Sequence, residues 1–204
     1  MERDYTLYYV LDLPDPAGRD AVALVREAVA GGAGIVQLRG EGASGRELYE
    51  LALELKGALA ATGVPLIVND RLDVALATEA DGIHVGAQDL PVGRVRALAP
   101  GLIVGVSCYG DPALAERAAA AGADYLAFGA FFPSPSKPEA AVVPTSVLGE
   151  ARRFGLPVVA IGGITLDRTP QLAAAGADGI AAISAIQGAP EPRAAAAALR
   201  AAVV

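Results

Sequence analysis

Charged side chains follow short apolar runs at several places in this 204-residue sequence, and their types suggest phosphate chemistry. Arg39 follows one apolar run, Asp70 the next, and Asp89 and Lys137 come after later ones. Magnesium takes few protein oxygens and completes its coordination with phosphate oxygens and water, so two carboxylates beside two cations fit a metal-bound phosphate ligand. The cations would neutralise the remaining phosphate charge.

Other polar residues follow the same rule, since nearly every polar residue that interrupts an apolar run lies at its C-terminal end. The glycines of "IGGI", with "AISAI" further along, are typical of a phosphate site built from backbone N–H groups and a helix N-terminus. Two anion sites indicate two phosphorylated substrates, or one phosphorylated at both ends. The residues concerned are Gln37, Arg39, Asn69, Asp70, Asp89, Ser107, Ser134, Ser136, Lys137, Gly162, Gly163 and Ser184.

The apolar runs themselves predict a barrel. Eight runs rich in Val, Ile and Tyr alternate with Ala- and Leu-rich segments of helical period, which is typical of repeated βα units. Eight units of about 25 residues suit one (β/α)8 TIM barrel over residues 1–204, in which the strands' C-terminal ends build the site. An open doubly wound sheet is the structural alternative. We expect strands at "TLYYVLD", "GIVQLR", "PLIVND", "GIHVG", "LIVGVSC", "DYLAFGA", "PVVAIGG" and "GIAAISA".

The connectors between these units alternate in type. An Ala-Asp or Ala-Gly turn precedes every second strand, as in "GGAGIVQL", "EADGIHVG", "AGADYLAF" and "AGADGIAAI". The strands between them are entered through Gly followed by an apolar residue or proline. Glycine after a helix supplies the left-handed residue that ends it. The Ala-rich tail, entered through Pro190 and Pro192, is expected to form the last helix of the barrel.

The composition narrows the class of partner. The net charge of −7 disfavours nucleic acid, which needs clustered cations. The single Cys108 allows no intramolecular disulfide, and no run reaches the roughly 18 apolar residues of a membrane helix. Because "MERDYTLYYVLDLP" enters a strand within a few residues, we expect no signal peptide and a cytoplasmic protein with no membrane partner. The oligomeric state is not indicated.

Simple structural roles compete with the functional interpretation. In the alternative interpretation, Asp70 caps a helix or pairs with Arg71, and Asp89 caps the fourth helix. His84 is interpreted as a packed strand histidine rather than a catalyst. Cys108 is interpreted as a small buried hydrophobe, and the glycines of "IGGI" as packing residues, when each is considered alone. Their joint placement at strand ends favours function.

The chain resembles the thiamine phosphate synthase (thiamine-phosphate pyrophosphorylase) family. The resemblance is carried in order by "VQLRG", "PLIVNDRLDVALA", "ADGIHVGAQDLP", "IVGVSCY", "AGADYLAFGAFFPSPSKP", "PVVAIGGIT" and "AGADGIAAISAI". It implies a magnesium-dependent joining of hydroxymethylpyrimidine diphosphate with hydroxyethylthiazole phosphate, often in its carboxylated form, to give thiamine phosphate and diphosphate. Such chemistry requires positioning and electrostatic stabilisation, which agrees with a predicted site without a Ser-His or Cys-His arrangement.

The resemblance also implies roles for individual residues. Asp70 and Asp89 would hold magnesium, and Arg39, Ser107 and Lys137 would be catalytic. The pyrimidine diphosphate would contact Gln37, Arg39, Asn69, Ser107 and Lys137, and the thiazole phosphate would contact Ser134, Ser136, Gly163, Ile183 and Ser184. Leu38, Gly40, Glu41 and Pro135 complete the expected substrate-binding set.

Two departures from the family pattern leave alternatives open. Glu41 stands where the family usually has lysine, which should weaken diphosphate binding unless Glu41 points away or pairs with a cation such as Arg46. Serines replace the commoner threonine-containing form of the "SPS" loop. A thiazole tautomerase would lack Asp70 and carry histidine in place of Ala130, so it is disfavoured. A non-catalytic binder of thiamine precursors is the other alternative.

Overall fold

A closed parallel barrel forms the centre of the molecule. The computed structural model describes residues 3–134 and 140–204, and each strand pairs with the next along the chain until β8 pairs with β1. This confirms the predicted TIM barrel, because an open sheet would leave two edges unpaired. The strands are β1 (Leu7–Leu13), β2 (Ile35–Gly40), β3 (Leu66–Asn69), β4 (Gly82–Val85), β5 (Ile103–Tyr109), β6 (Tyr125–Phe128), β7 (Val158–Ile161) and β8 (Gly179–Ala182).

Helices surround this barrel. Helix α2 (Gly45–Leu59) begins with a capping box, in which Ser44 Oγ accepts from Glu47 N at 3.2 Å and Glu47 Oε2 accepts from Ser44 N at 2.8 Å. Among the described residues, no helix has both the length and the apolar character needed to cross a membrane. The helices are α1 (Ala21–Ala30), α2 (Gly45–Leu59), α3 (Leu72–Ala77), α4 (Val92–Leu98), α5 (Pro112–Ala120), α6 (Ser146–Ala151), α7 (Thr169–Ala174), α8 (Ser184–Gln187) and α9 (Pro192–Ala201), and a 3-10 turn covers Arg152–Phe154 after α6.

Alternate side chains of each strand pack on opposite sides of the barrel wall. In β1, Tyr8 and Val10 pack inside the barrel, whereas Leu7, Tyr9 and Leu11 pack outside it in the same buried cluster as the helices' apolar faces. Both sets are buried, so the strands appear in the sequence as nearly continuous apolar runs. Among the strand residues, only inward-facing ones near the C-terminal ends can therefore reach a site at the mouth of the barrel.

The alternating connectors form hydrogen bonds at the N-terminal face of the barrel, opposite the mouth. Three of the four even-numbered strands are preceded by an aspartate whose carboxylate accepts a hydrogen bond from a backbone N–H near the start of the preceding strand. Gly34 takes the corresponding place before β2, where an added Cβ would lie 2.3 Å from Asp4 O. The three bonds join Oδ2 of Asp81, Asp124 and Asp178 to the backbone nitrogens of Leu66, Val104 and Val158, each at 2.8 Å.

A cation completes each of these four loops. It comes from the helix or 3-10 turn that precedes the neighbouring odd-numbered strand in the barrel, and it binds the carbonyl of a residue with positive φ. The arrangement occurs four times, once for each βαβα quarter of the barrel. The pairs are Lys56 Nζ with Glu79 O, Arg96 Nε with Gly122 O at 2.7 Å, Arg152 Nη1 with Gly176 O at 3.4 Å, and Arg200 Nη1 with Gly32 O at 3.0 Å.

Replacement of Asp124 by alanine tests this arrangement. Asp124→Ala leaves the buried Val104 N–H and the Arg96 guanidinium without their carboxylate acceptor, so the free energy of unfolding should fall by about 1–3 kcal/mol in urea denaturation. Glu50→Ala is the control, because Glu50 forms an exposed pair with Arg46 at 3.9 Å and such pairs contribute little. Equal losses in the two variants would contradict the assigned role.

Candidate active site

Two adjoining cavities lie at the C-terminal end of the barrel. A polar cavity of about 400 Å³ is lined by Asp70 and Asp89 among other residues. A second cavity of about 560 Å³ extends into the barrel and is lined mostly by apolar side chains, including Val10, Val159 and Ile161. Residues shared by both cavities mark their junction, and these are Arg39, Asn69, His84, Ser107 and Tyr109.

Most of the predicted site residues line these cavities. Gly40 and Glu41 line the polar cavity, and Gln37, Ser134 and Ile183 line the apolar one. Gly163 and Ser184 are the chain neighbours of Gly162 and Ile183, which line the apolar cavity. The side chain of Leu38 lies outside the barrel wall, packed in the cluster that includes the helices. Pro135, Ser136 and Lys137 lie outside the described residues.

Arg39 is held between two carboxylates. Its Nη1 donates to Asp12 Oδ1 at 2.6 Å, and its Nη2 donates to Glu41 Oε2. Glu41 pairs with a cation, as one alternative expected, but this cation is Arg39 and not Arg46, which pairs with Glu50 on α2. The side chain of Glu41 is 80% exposed, so an incoming anion can displace it from Arg39.

Asp70 occupies a backbone conformation that few residues adopt. Its φ is 59°, in the left-handed region where Asp and Asn are tolerated better than most residues. Its N–H donates to the carbonyl of His84 at 2.8 Å. Arg71, not Asp70, occupies the N-cap position of α3, so the simple capping interpretation of Asp70 is wrong.

Asp89 is fixed by the loop after β4. Its Oδ2 accepts from Gly86 N at 2.8 Å, and α4 starts after Pro91 at the N-cap with no side-chain cap, so Asp89 does not cap that helix. Both Asp70 and Asp89 line the polar cavity. Within the two described segments, no three His, Cys, Asp or Glu side chains cluster as a metal site. A metal here would therefore need further oxygens from substrate and water.

A chain of hydrogen bonds crosses the barrel interior between Gln37 and Ser107. Gln37 Nε2 donates to Tyr8 Oη at 2.7 Å, and the hydroxyls of Tyr8 and Tyr125 lie 2.7 Å apart. His84 Nδ1 lies 2.9 Å from Tyr125 Oη, and His84 Nε2 lies 2.8 Å from Ser107 Oγ. The expectation of a site without a Ser-His arrangement is therefore wrong.

This Ser-His pair differs from a hydrolytic one. The other ring nitrogen of His84 faces the Tyr125 hydroxyl, whereas in a hydrolytic triad a carboxylate hydrogen-bonds to that nitrogen and stabilises the imidazolium. Burial lowers the pKa of His84 to about 4, despite a small opposing effect of Asp89. Both ring nitrogens have partners, which confirms His84 as a packed and satisfied histidine. Cys108 is likewise a buried hydrophobe as predicted, and burial raises its pKa to about 12.

The glycines after β7 are explained first by packing. Gly162 and Gly163 have φ of 99° and 64°, and added Cβ atoms would lie 2.5 Å from Ala130 and 2.6 Å from the Phe132 carbonyl oxygen. Arg168 Nη1 donates to Gly163 O at 2.8 Å and its guanidinium lies 4.7 Å from the Phe132 ring centroid. The loops after β6 and β7 therefore support each other, and phosphate binding by these glycines stays a prediction.

Sequence reasoning missed several residues of the site. Asp12 lies one residue before the end of β1 and pairs with Arg39, so the strand-end rule would have found it had the first strand been included. Tyr109 lines both cavities with φ of 54°, which no local pattern indicates. Tyr8 and Tyr125 lie within apolar runs and were interpreted only as strand residues. Their hydroxyls meet only through the register of the barrel.

Comparisons with known proteins agree with one another. The family described as thiamine monophosphate synthase matches residues 7–186. The chain is 44% identical over 203 residues to a thiamine-phosphate synthase of Chloroflexus aurantiacus, covering 98% of this chain and 93% of that one. It is 46% identical over 199 residues to a thiamine-phosphate synthase of Methanoculleus marisnigri, covering 96% and 94%.

Solved structures agree as well. A thiamine phosphate pyrophosphorylase from Pyrococcus furiosus superposes with a TM-score of 0.90 and 38% identity, covering 98% of this chain and 96% of that chain. A 3-hexulose-6-phosphate synthase superposes with a TM-score of 0.68 at 21% identity, covering 98% and 100%. The second likeness shows a common fold alone.

Titration of His84 should make the free energy of unfolding depend on pH. The folded pKa of about 4 lies below the ordinary 6.5, so His84 favours the folded state above pH 6.5 and this contribution is lost as the pH falls toward 4. Near pH 5 the loss should be about 2 kcal/mol. Urea unfolding of the native protein and of His84→Gln at about pH 7.5 and 5 measures it. An equal loss in both proteins would contradict a depressed pKa, because the carboxylates titrate in both.

Proposed function

The chain belongs to the thiamine monophosphate synthase family, and from this premise we propose how the residues at the mouth of its barrel perform the reaction. The protein is a transferase with thiamine-phosphate synthase activity on small molecules. We propose that the substrates are hydroxymethylpyrimidine diphosphate and hydroxyethylthiazole phosphate or its carboxylated form. The products are then thiamine phosphate and diphosphate.

The junction of the two cavities is the observation that carries this proposal. The polar cavity, with Asp70, Asp89 and Arg39, suits a diphosphate with its metal, and the apolar cavity suits the two heterocyclic rings. The bond that breaks joins the diphosphate to the pyrimidine methylene, so it would lie between them. Ser107 and Asn69 line both cavities at this boundary.

The chemistry requires no general base to begin. The methylene C–O bond breaks, its electron pair leaves with the diphosphate, and the electron-rich aminopyrimidine stabilises the resulting cation. The lone pair of the thiazole nitrogen then forms the new C–N bond. Positioning of the two rings and stabilisation of the leaving group are what the protein must supply. A neutral His84 without a carboxylate partner agrees with such a mechanism.

The residues of the polar cavity fit a magnesium ion. Asp70 and Asp89 would hold it, since hard carboxylate oxygens suit Mg²⁺ and two of them leave room for phosphate oxygens and water. When bound, the ion supplies positive charge that stabilises the leaving diphosphate. Arg39 would bind the same diphosphate after exchanging Glu41 for it, while Asp12 keeps the guanidinium oriented.

The remaining assignments come from the sequence. Arg39 and Ser107 would act on the leaving diphosphate together with Lys137, whose part rests on its place in "FFPSPSKP" alone. Gln37 and Asn69 would contact the pyrimidine part. Residues around the loops after β6, β7 and β8 would hold the thiazole phosphate, namely Ser134, Pro135, Ser136, Gly163, Ile183 and Ser184. A cytoplasmic location, without nucleic-acid or membrane partners, also stays a prediction.

Asparagine substitutions test the carboxylates. Asp70→Asn and Asp89→Asn remove the charge, and asparagine tolerates the positive φ at position 70. Formation of thiamine phosphate from the two substrates with magnesium should fall by about two orders of magnitude or more. Asp73→Asn is the matched control, because Asp73 pairs with Arg71 and is 66% exposed.

Near-normal activity of both Asp70→Asn and Asp89→Asn would contradict the metal-binding role. Binding of both substrates by the native protein without any product would instead indicate the non-catalytic binder. Circular dichroism of each variant excludes unfolding as the cause of a loss.

Neutralising Glu41 should improve diphosphate binding. Glu41→Gln removes the anion that occupies Arg39 Nη2, and an exposed pair of this kind is worth up to about 1 kcal/mol. The KM for the pyrimidine diphosphate should therefore fall by up to about fivefold, with little change in kcat. Glu50→Gln, which removes the same charge from the exposed pair with Arg46, should leave this KM unchanged. A raised KM in Glu41→Gln would show that Glu41 assists binding.

A further inference from the structure

The hydrogen-bond chain inside the barrel has a direction that is fixed at its Gln37 end. An amide nitrogen only donates, so Tyr8 Oη accepts from Gln37 Nε2 at 2.7 Å. The hydrogen of the Tyr8 hydroxyl then needs a different acceptor, and the Tyr125 oxygen lies 2.7 Å away. Tyr8 therefore donates to Tyr125.

The same assignment of donors and acceptors extends from Tyr125 to Ser107. Tyr125 Oη accepts from Tyr8, and among the described residues its own hydrogen has His84 Nδ1, at 2.9 Å, as its acceptor. A neutral imidazole carries one N–H, which must then be on Nε2. Nε2 donates to Ser107 Oγ at 2.8 Å, so the Ser107 oxygen accepts and its hydrogen is left for another acceptor.

The opposite direction is unfavourable. If Ser107 donated to His84 and His84 to Tyr125, then Tyr125 would donate to Tyr8, which already accepts from Gln37. The Tyr8 hydrogen would then point between two donors. Tyr8 is 2% exposed, and a buried donor without an acceptor is costly.

Gly105 leaves the space through which the hydrogen-bond chain passes from Tyr125 to His84. His84 on β4, Gly105 on β5 and Tyr125 on β6 are register partners across three neighbouring strands. An added Cβ at Gly105 would lie 1.9 Å from Tyr125 Cζ. The absence of a side chain at this position therefore lets the ring of Tyr125 lie over β5 and reach His84.

We propose that His84 is a positioning residue for the reaction: with Gln37, Tyr8 and Tyr125 it commits the Ser107 hydroxyl to donate its hydrogen to an anionic oxygen at the junction of the two cavities. Phosphate oxygens only accept, so a serine whose hydrogen was bound to histidine could not serve them. The identity of this anion, the substrate's diphosphate, rests on the proposed function. The direction of the hydrogen-bond chain is independent of the proposed function.

Nitrogen NMR tests the direction without any substrate. His84 is the only histidine of the 204-residue sequence, so untagged protein labelled with [15N]histidine gives one assignable imidazole. We expect hydrogen on Nε2 and a bare Nδ1. Hydrogen on Nδ1 in the native protein would overturn the inference, whether or not the enzyme makes thiamine phosphate.

Gln37→Glu should reverse the chain. Near pH 8 an ionised carboxylate only accepts, so Tyr8 would donate to it, each later bond would reverse, and the His84 hydrogen would move to Nδ1. The side chains of His84 and Ser107 remain unchanged in this variant. An unchanged tautomer in folded Gln37→Glu protein would overturn the coupling between Gln37 and His84.

A binding experiment tests the effect on the anion. Calorimetric titration with inorganic diphosphate and magnesium avoids the chemical step. His84→Leu removes the Nε2 donor and should weaken diphosphate binding roughly tenfold, whereas His84→Gln keeps an N–H donor on a side chain of similar length and should restore most of it. Equal affinities of the two variants would overturn the positioning role, since a packing role alone does not distinguish them.

Discussion

Closure of the barrel by the pairing of β8 with β1 is the constraint on which the site depends. Residues from strands far apart in sequence reach one mouth because every strand is parallel and ends at the same edge. The alternation of side chains along each strand then determines which of these residues face the interior of the barrel. Gln37 faces the interior and Arg39 the mouth, while Leu38 between them packs outside the wall. The two-residue period of a strand therefore determines which side chains enter the site, and closure of the barrel brings these side chains together.

The two ends of the barrel use charge for different purposes. At the N-terminal face, aspartates accept backbone N–H groups and arginines bind loop carbonyls, so the charges there are committed to holding the loops. At the C-terminal end, Asp70, Asp89 and Arg39 line a cavity, and under the proposed function they would exchange partners with the substrate. This separation lets loops at the mouth vary without loss of the bonds that join the units at the other end.

Much of the fold was predictable because period and strand polarity are local properties. All eight apolar runs form strands, and the strand-end rule placed most site residues at two joined cavities. The contacts that could not be predicted depend on the register of the strands or on a choice between partners of similar energy. The partner of Glu41 is Arg39, a choice among nearby cations that sequence spacing does not make. The contact between Tyr8 and Tyr125 joins residues 117 positions apart, and the role of Gly105 follows from that contact.

The single direction of the interior chain has a consequence for the field inside the barrel. Because each O–H and N–H along it points the same way, their bond dipoles add, with the positive end at Ser107. Such a row of dipoles is held by packed rings and needs no rearrangement when negative charge grows on a leaving group. The apolar-looking tyrosines of β1 and β6 would thus act as a fixed electrostatic element that extends from the barrel interior to its mouth.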